Sequence, residues 1–159
     1  RRPIASRDHP LAQRTAKALN SAGVSPNAIS MAGMFASMAG GAAVAATSFI
    51  SPAWPLFACA AAMMQVRLLA NLFDGMVAIE GGRASPVGEL YNEVPDRVSD
   101  TAFFVGMGYA LGGSPVLGYW AAILAVMTAY VRAAGGVAGA PQEYCGPMAK
   151  PHRMAIGTL

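Results

Sequence analysis

The chain has 159 residues, 55% of them hydrophobic and 12% charged, with a mean hydropathy of +0.43. Soluble domains carry about 25% charged residues, so this composition excludes an ordinary water-soluble domain and points to a membrane protein. The net charge of +3 follows from basic residues at membrane boundaries and requires no nucleic acid partner.

The first predicted element is "HPLAQRTAKALNSAGVSPN". Leu11, Ala12, Ala16 and Leu19 alternate with Arg14 and Lys17, the pattern of a short amphipathic helix lying at a membrane surface. Gly23 and Pro26 stop it. Long apolar stretches follow. Residues 28–50 contain no charge, nor do 52–65 or 101–131. A helix needs about 20 apolar residues to cross the hydrocarbon core. Four spans are predicted, at about 28–50, 53–79, 89–111 and 115–138. Only helices satisfy their own backbone within such segments, so the class is an all-α integral membrane protein, one domain over 1–159.

Orientation follows from charge. The turns "SFISPAWP" and "GGSP" carry none. Arg1, Arg2, Arg7, Arg14 and Lys17 precede the first span, Arg83 follows the second, and Lys150 and Arg153 lie in the tail. The positive-inside rule places the N-terminus, the 80–88 loop and the 139–153 segment in the cytoplasm. No cleavable signal peptide is recognisable. A first residue Arg1 and a last stretch "KPHRMAIGTL" read as the borders of a fragment. Cys59 and Cys145 fit no disulfide or metal spacing.

Six of the eight acids gather at the cytoplasmic ends of spans two and three and the turn between them: Asp74, Glu80, Glu89, Glu93, Asp96 and Asp100. On a helix, Arg67, Asn71, Asp74, Gly75 and Ala78 share one face, and Gly88, Asn92, Asp96 and Asp100 share another. The short loop "EGGRASP" predicts that these two spans are antiparallel neighbours whose polar faces meet. Ionisable groups at membrane depth cost roughly 2.5–3.5 kcal/mol each on insertion scales. Water, partners such as Arg67 and Arg97, or a bound cation must offset that cost. Carboxylate and amide oxygens suit hard cations such as Mg²⁺, whereas zinc would ask for His or Cys. The bland alternative is that these polar residues only glue helices together.

The stretch resembles the signature of the CDP-alcohol phosphotransferases, integral membrane enzymes of phospholipid synthesis. That signature reads Asp-x2-Asp-Gly-x2-Ala-Arg-x8-Gly-x3-Asp-x3-Asp. Here the register is Asn71-x2-Asp74-Gly75-x2-Ala78-Ile79-x8-Gly88-x3-Asn92-x3-Asp96. "VSPNAIS" before the first span and "GPMAKPHRM" near the end resemble two further family segments.

The resemblance implies a six-helix, dimeric fold behind a surface helix, with two helices beyond this chain, in a membrane such as the bacterial inner membrane. It implies Mg²⁺ or Mn²⁺ held by Asp74 and Asp96, with Asn71, Asn92 and Asp100 contributing, at a cytoplasm-facing cavity. Asp96 would also be the catalytic base. Gly75, Ala78 and Gly88 would admit the cytidine nucleotide. Arg67, Lys150 and Arg153 would bind phosphate or acceptor. The implied reaction moves a phospho-alcohol from a CDP-alcohol, CDP-diacylglycerol foremost, to an acceptor hydroxyl, releasing CMP. The chain departs at Asn71, Asn92 and Ile79, where the family has two aspartates and an arginine. Two amides remove two negative charges and weaken metal binding. The alternative is a protein that keeps the fold for binding or assembly without turnover. A transporter or channel fragment would not account for the matching gaps.

Overall fold

The computed structural model describes residues 9–82 and 86–139, with 86–89, 91 and 92 described by their backbone alone. Among these residues the chain is entirely helical. The elements are α1 (Pro10–Ser21), α2 (Pro26–Ala46), α3 (Trp54–Glu80), α4 (Pro86–Gly108) and α5 (Pro115–Val137).

Each helix carries a proline in its first turn: Pro10, Pro26, Pro55, Pro86 and Pro115. The missing N–H of proline costs nothing there, and its fixed φ suits the helix. Ser25 caps α2, its Oγ accepting from the Ala28 N–H at 3.1 Å. His9 does the same for α1, its Nδ1 accepting from the Leu11 N–H at 3.3 Å. Glycines at positive φ follow α1, α3 and α5: Gly23 (75°), Gly82 (60°) and Gly139 (84°).

α2, α3 and α5 are long and apolar enough to cross a membrane, which marks the chain as a membrane protein. Their surfaces bear large exposed apolar side chains, among them Phe57, Leu69, Trp120 and Leu124. α4 carries Glu89, Glu93, Asp96, Arg97 and Asp100 and is not apolar enough to belong with these three. α1 is seated on α3: Ala12 and Ala16 pack with Met76 and Val77, and Leu19, Ile29, Leu72 and Phe73 close around them. Arg14 and Lys17 stay exposed.

α2 is the centre of the bundle. It packs against both α3 and α4, while α5 packs on α4. One face of α2 explains this. Ser30, Gly33, Ser37, Gly40, Gly41 and Val44 are its buried residues. Within a bilayer, apolar side chains gain little by leaving lipid, so close backbone approach over small residues drives packing. A Cβ on Gly106 of α4 would lie 2.3 Å from the Gly41 carbonyl oxygen, so the two backbones touch. Gly108 of α4 and Gly118 of α5 make a second such crossing, where a Cβ on Gly118 would lie 2.8 Å from the Gly108 Cα.

Among the described residues α3 and α4 make few close backbone contacts with each other, but their side chains meet: Met64 and Leu68 of α3 pack with Phe103 of α4. The small face of α2 draws each of them onto itself. Their polar faces still meet, by side chains reaching across.

Candidate functional site

Arg67 projects from the middle of α3 and is 1% exposed. Its Nη2 donates to Asp96 Oδ1 of α4 in a direct ion pair. Gly33 on α2 makes room for it: a Cβ there would sit 2.9 Å from Arg67 Nη1 and 2.6 Å from the Ala70 Cβ. Arg67 therefore lies in a slot between three helices, floored by a residue without a side chain. Nε and Nη1 of Arg67 are buried and have no hydrogen-bond partner among the described residues.

Asp74 sits two helical turns further along α3 and is 4% exposed. Its Oδ2 accepts from Ser30 Oγ of α2 at 2.8 Å, and its Oδ1 accepts from the Gly75 N–H. It lies within electrostatic reach of both Arg67 and Asp96. Asn71, between Arg67 and Asp74, keeps a buried Oδ1 without a described partner. On α4, Asp100 is 1% exposed. Arg97 approaches Asp96 Oδ2 at 3.5 Å and Glu93 at 3.7 Å. Glu93 is also paired with Arg132 of α5 at 3.1 Å.

Arg67, Asp74 and Asp96 are thus brought together, with Asn71 on the same face. Gly75 and Ala78 are half-buried beside Asp74. Gly88 and Asn92 lie in α4, where only the backbone is described, and Lys150 and Arg153 lie outside the described residues. The residues that spacing alone did not single out are Ser30 and Gly33. Their signal was present in the sequence: Ser30, Gly33, Ser37, Gly40 and Gly41 repeat at three- and four-residue steps, a stripe of small residues on one helix face.

Among the described side chains the candidate ligands are not arranged around a divalent cation. Among the described residues no three Asp, Glu, His or Cys side chains converge as ligands. Asp96 faces two guanidinium groups, and both oxygens of Asp74 already accept hydrogen bonds. What the site does offer is two carboxylates of different character, buried Asp74 held by hydroxyl and amide donors and half-buried Asp96 held by arginine. No family model, curated protein or solved structure matches the chain.

Proposed function

We propose that this chain is the core of a membrane transferase that moves a phospho-alcohol group from a CDP-alcohol, CDP-diacylglycerol foremost, to an acceptor hydroxyl. The observation that carries this reading is the meeting of buried Asp74 and Arg67 with half-buried Asp96, the two aspartates standing at the register of the family signature. Buried charge at membrane depth is costly and is kept where it performs a task.

In the proposed step the acceptor oxygen bonds to the phosphorus bearing the alcohol. The P–O bond to CMP breaks, and CMP leaves. Asp96 takes the hydroxyl proton as general base, which requires a carboxylate within hydrogen-bond reach of that hydroxyl. Arg67 orients Asp96 through one oxygen. Ser30 and the Gly75 N–H orient Asp74. No step is routed through a metal ion. The same reading has α4 as a fourth span beside α2, α1 at the membrane surface, the N-terminus in the cytoplasm, and two chains forming a dimer. Ser48 Oγ donates to the Tyr109 carbonyl at 2.6 Å, and the Leu111 N–H donates to Thr47 Oγ1 at 2.9 Å. These bonds tie the C-terminal ends of α2 and α4 together and support a parallel course for both.

A second reading, a fold kept for binding or assembly without turnover, is favoured by the Arg67–Asp96 ion pair, which occupies the candidate base. Turnover separates the two. The full chain, purified in detergent, is supplied with CDP-diacylglycerol and small polar acceptors, with Mg²⁺, with Mn²⁺ and with EDTA, and CMP is measured. The transferase reading expects CMP that depends on acceptor and disappears in Asp96→Asn. No CMP under any condition, with CDP-choline and CDP-ethanolamine also tried, sinks it in favour of the second reading.

A further inference from the structure

α5 reaches the site through a chain of charges. Its buried face is Gly118, Ala122, Ala125 and Ala129, small residues at steps of four, three and four that seat it closely on α4. Arg132 continues that face three residues further on. Its Nη2 donates to Glu93 Oε1 of α4 at 3.1 Å. Glu93 Oε2 lies 3.7 Å from Arg97 Nη2, and the same nitrogen lies 3.5 Å from Asp96 Oδ2. Arg97 is therefore shared between two carboxylates. Both distances exceed the about 2.7–2.9 Å of a charge-assisted hydrogen bond, so neither carboxylate holds it outright. Pro95 stands between them in sequence and donates no backbone bond to the carbonyl of Tyr91. The Glu93–Arg97 pair spans the turn of α4 that lacks this bond. Exposed ion pairs add little stability, and Glu93 and Arg132 are 51% and 33% exposed. What these charges fix is the place of Arg97.

We infer that Glu93 and Arg132 are positioning residues that hold Arg97 back from Asp96 Oδ2. Arg67 binds Oδ1, so the proton of the acceptor hydroxyl goes to Oδ2. A base must lie within hydrogen-bond reach of the proton it takes. Arg97 closed onto Oδ2 would set a guanidinium on each oxygen and shut the hydroxyl out. Glu93 draws Arg97 the other way, and Arg132 fixes where Glu93 stands. The inference rests on the transferase reading for Asp96 as the base.

The test uses the full chain in detergent, supplied with CDP-diacylglycerol and with glycerol, serine and inositol as acceptors. kcat and KM for CMP release are measured beside the ¹⁵Nε resonance of Arg97, identified by its loss in Arg97→Gln. Glu93→Gln lowers kcat about tenfold, a part of what a general base supplies, with KM little changed, and the Arg97 resonance shifts. Arg132→Gln does the same to a smaller extent. Glu93→Gln/Arg97→Gln turns over as Arg97→Gln alone does, because Glu93 acts only through Arg97. Glu93→Arg/Arg132→Glu restores the ion pair between α4 and α5 but not the rate, since residue 93 no longer draws Arg97. The inference is overturned if that exchange restores the rate, which a simple clamp between helices would allow. It is equally overturned if Glu93→Gln costs as much in the Arg97→Gln background as in the wild type. An Arg97 resonance that shifts in Glu93→Gln, with no CMP from the wild type, leaves the placement of Arg97 standing and removes the transferase reading. CMP from the wild type with the Arg97 resonance unmoved by Glu93→Gln does the reverse.

Discussion

Arg67 of α3 and Asp96 of α4 form an ion pair beside a second side-chain contact between the same two helices, that of Met64 and Leu68 on α3 with Phe103 on α4. Each helix packs on α2, and the length of the arginine side chain closes the remaining gap. The pair is therefore both a bundle contact and the centre of the candidate site.

Breaking this pair from one side is expected to be far worse than removing it whole. Arg67→Met removes one of the two guanidinium groups that Asp96 faces, at a cost of about 1.5–3 kcal/mol, the scale of a hydrogen bond to a charged group. Arg67→Met/Asp96→Leu removes both charges and recovers most of that loss, as replacement of a buried pair by apolar groups commonly does. Unfolding in mixed detergent, run as a double-mutant cycle, measures the difference. Equal losses in the single and double variants would show that the two residues do not act as a pair.

Ser30 tests the other carboxylate. Its hydroxyl donates to Asp74 Oδ2 at 2.8 Å across α2 and α3. Ser30→Ala removes that donor and is expected to cost about 1 kcal/mol of stability, the scale of hydrogen bonds between membrane helices. CMP release should fall by about tenfold, equivalent to 1.4 kcal/mol in the barrier, and Ser30→Thr should restore much of it. Asp74→Asn should lose more activity than Ser30→Ala, since Asp74 is the group being oriented. An unchanged rate in Asp74→Asn would remove this residue from the site.

The glycines offer a graded test of packing. A Cβ at Gly106 would lie 2.3 Å from the backbone oxygen of Gly41, whereas one at Gly40 would meet the Met63 Cβ at 3.1 Å. Backbone cannot yield without moving a helix. Gly106→Ala is expected to cost about 1–3 kcal/mol, in the range for overpacking, and to lower activity by moving α4 away from α2. Gly40→Ala should cost less, because its first contact is a side chain. Thermal midpoints of the two variants in the same detergent decide the order, and a larger loss at Gly40 would contradict the close crossing of α2 and α4.

Helix positions were legible because their physical causes are local. The apolar runs that set the spans at 53–79 and 115–138 correspond to α3 and α5 within a residue or two. The first span begins at Pro26 and ends at Ala46, earlier than its apolar run, since the chain turns at Thr47. The shared face of Arg67, Asn71 and Asp74 was legible too, because helical periodicity fixes it. What the pattern did not reveal was which helices pack together. The Gly and Ser stripe of α2 draws both α3 and α4 onto it. For that reason Ser30 and Gly33, which belong to an apparently featureless apolar run, hold Asp74 and frame Arg67. Spacing offered water, arginines such as Arg67 and Arg97, or a cation as the complement of the acids; the structure sets both arginines at Asp96.

The number of crossings is the remaining prediction, and two turns decide it. The turn after α2 and the turn after α4 are joined by the Ser48–Tyr109 and Thr47–Leu111 hydrogen bonds. If α4 crosses the membrane, both turns lie on the side opposite to α1. In a chain with Cys59 and Cys145 replaced by serine, Phe49→Cys and Leu111→Cys, both at exposed positions, should react with a membrane-impermeant maleimide in intact cells. Gln13→Cys on α1 should react only after permeabilisation. Labelling of Phe49→Cys but not Leu111→Cys would mean that α4 does not cross. The ionisable residues of α4 would then sit at the surface, where their charges carry no cost of membrane burial.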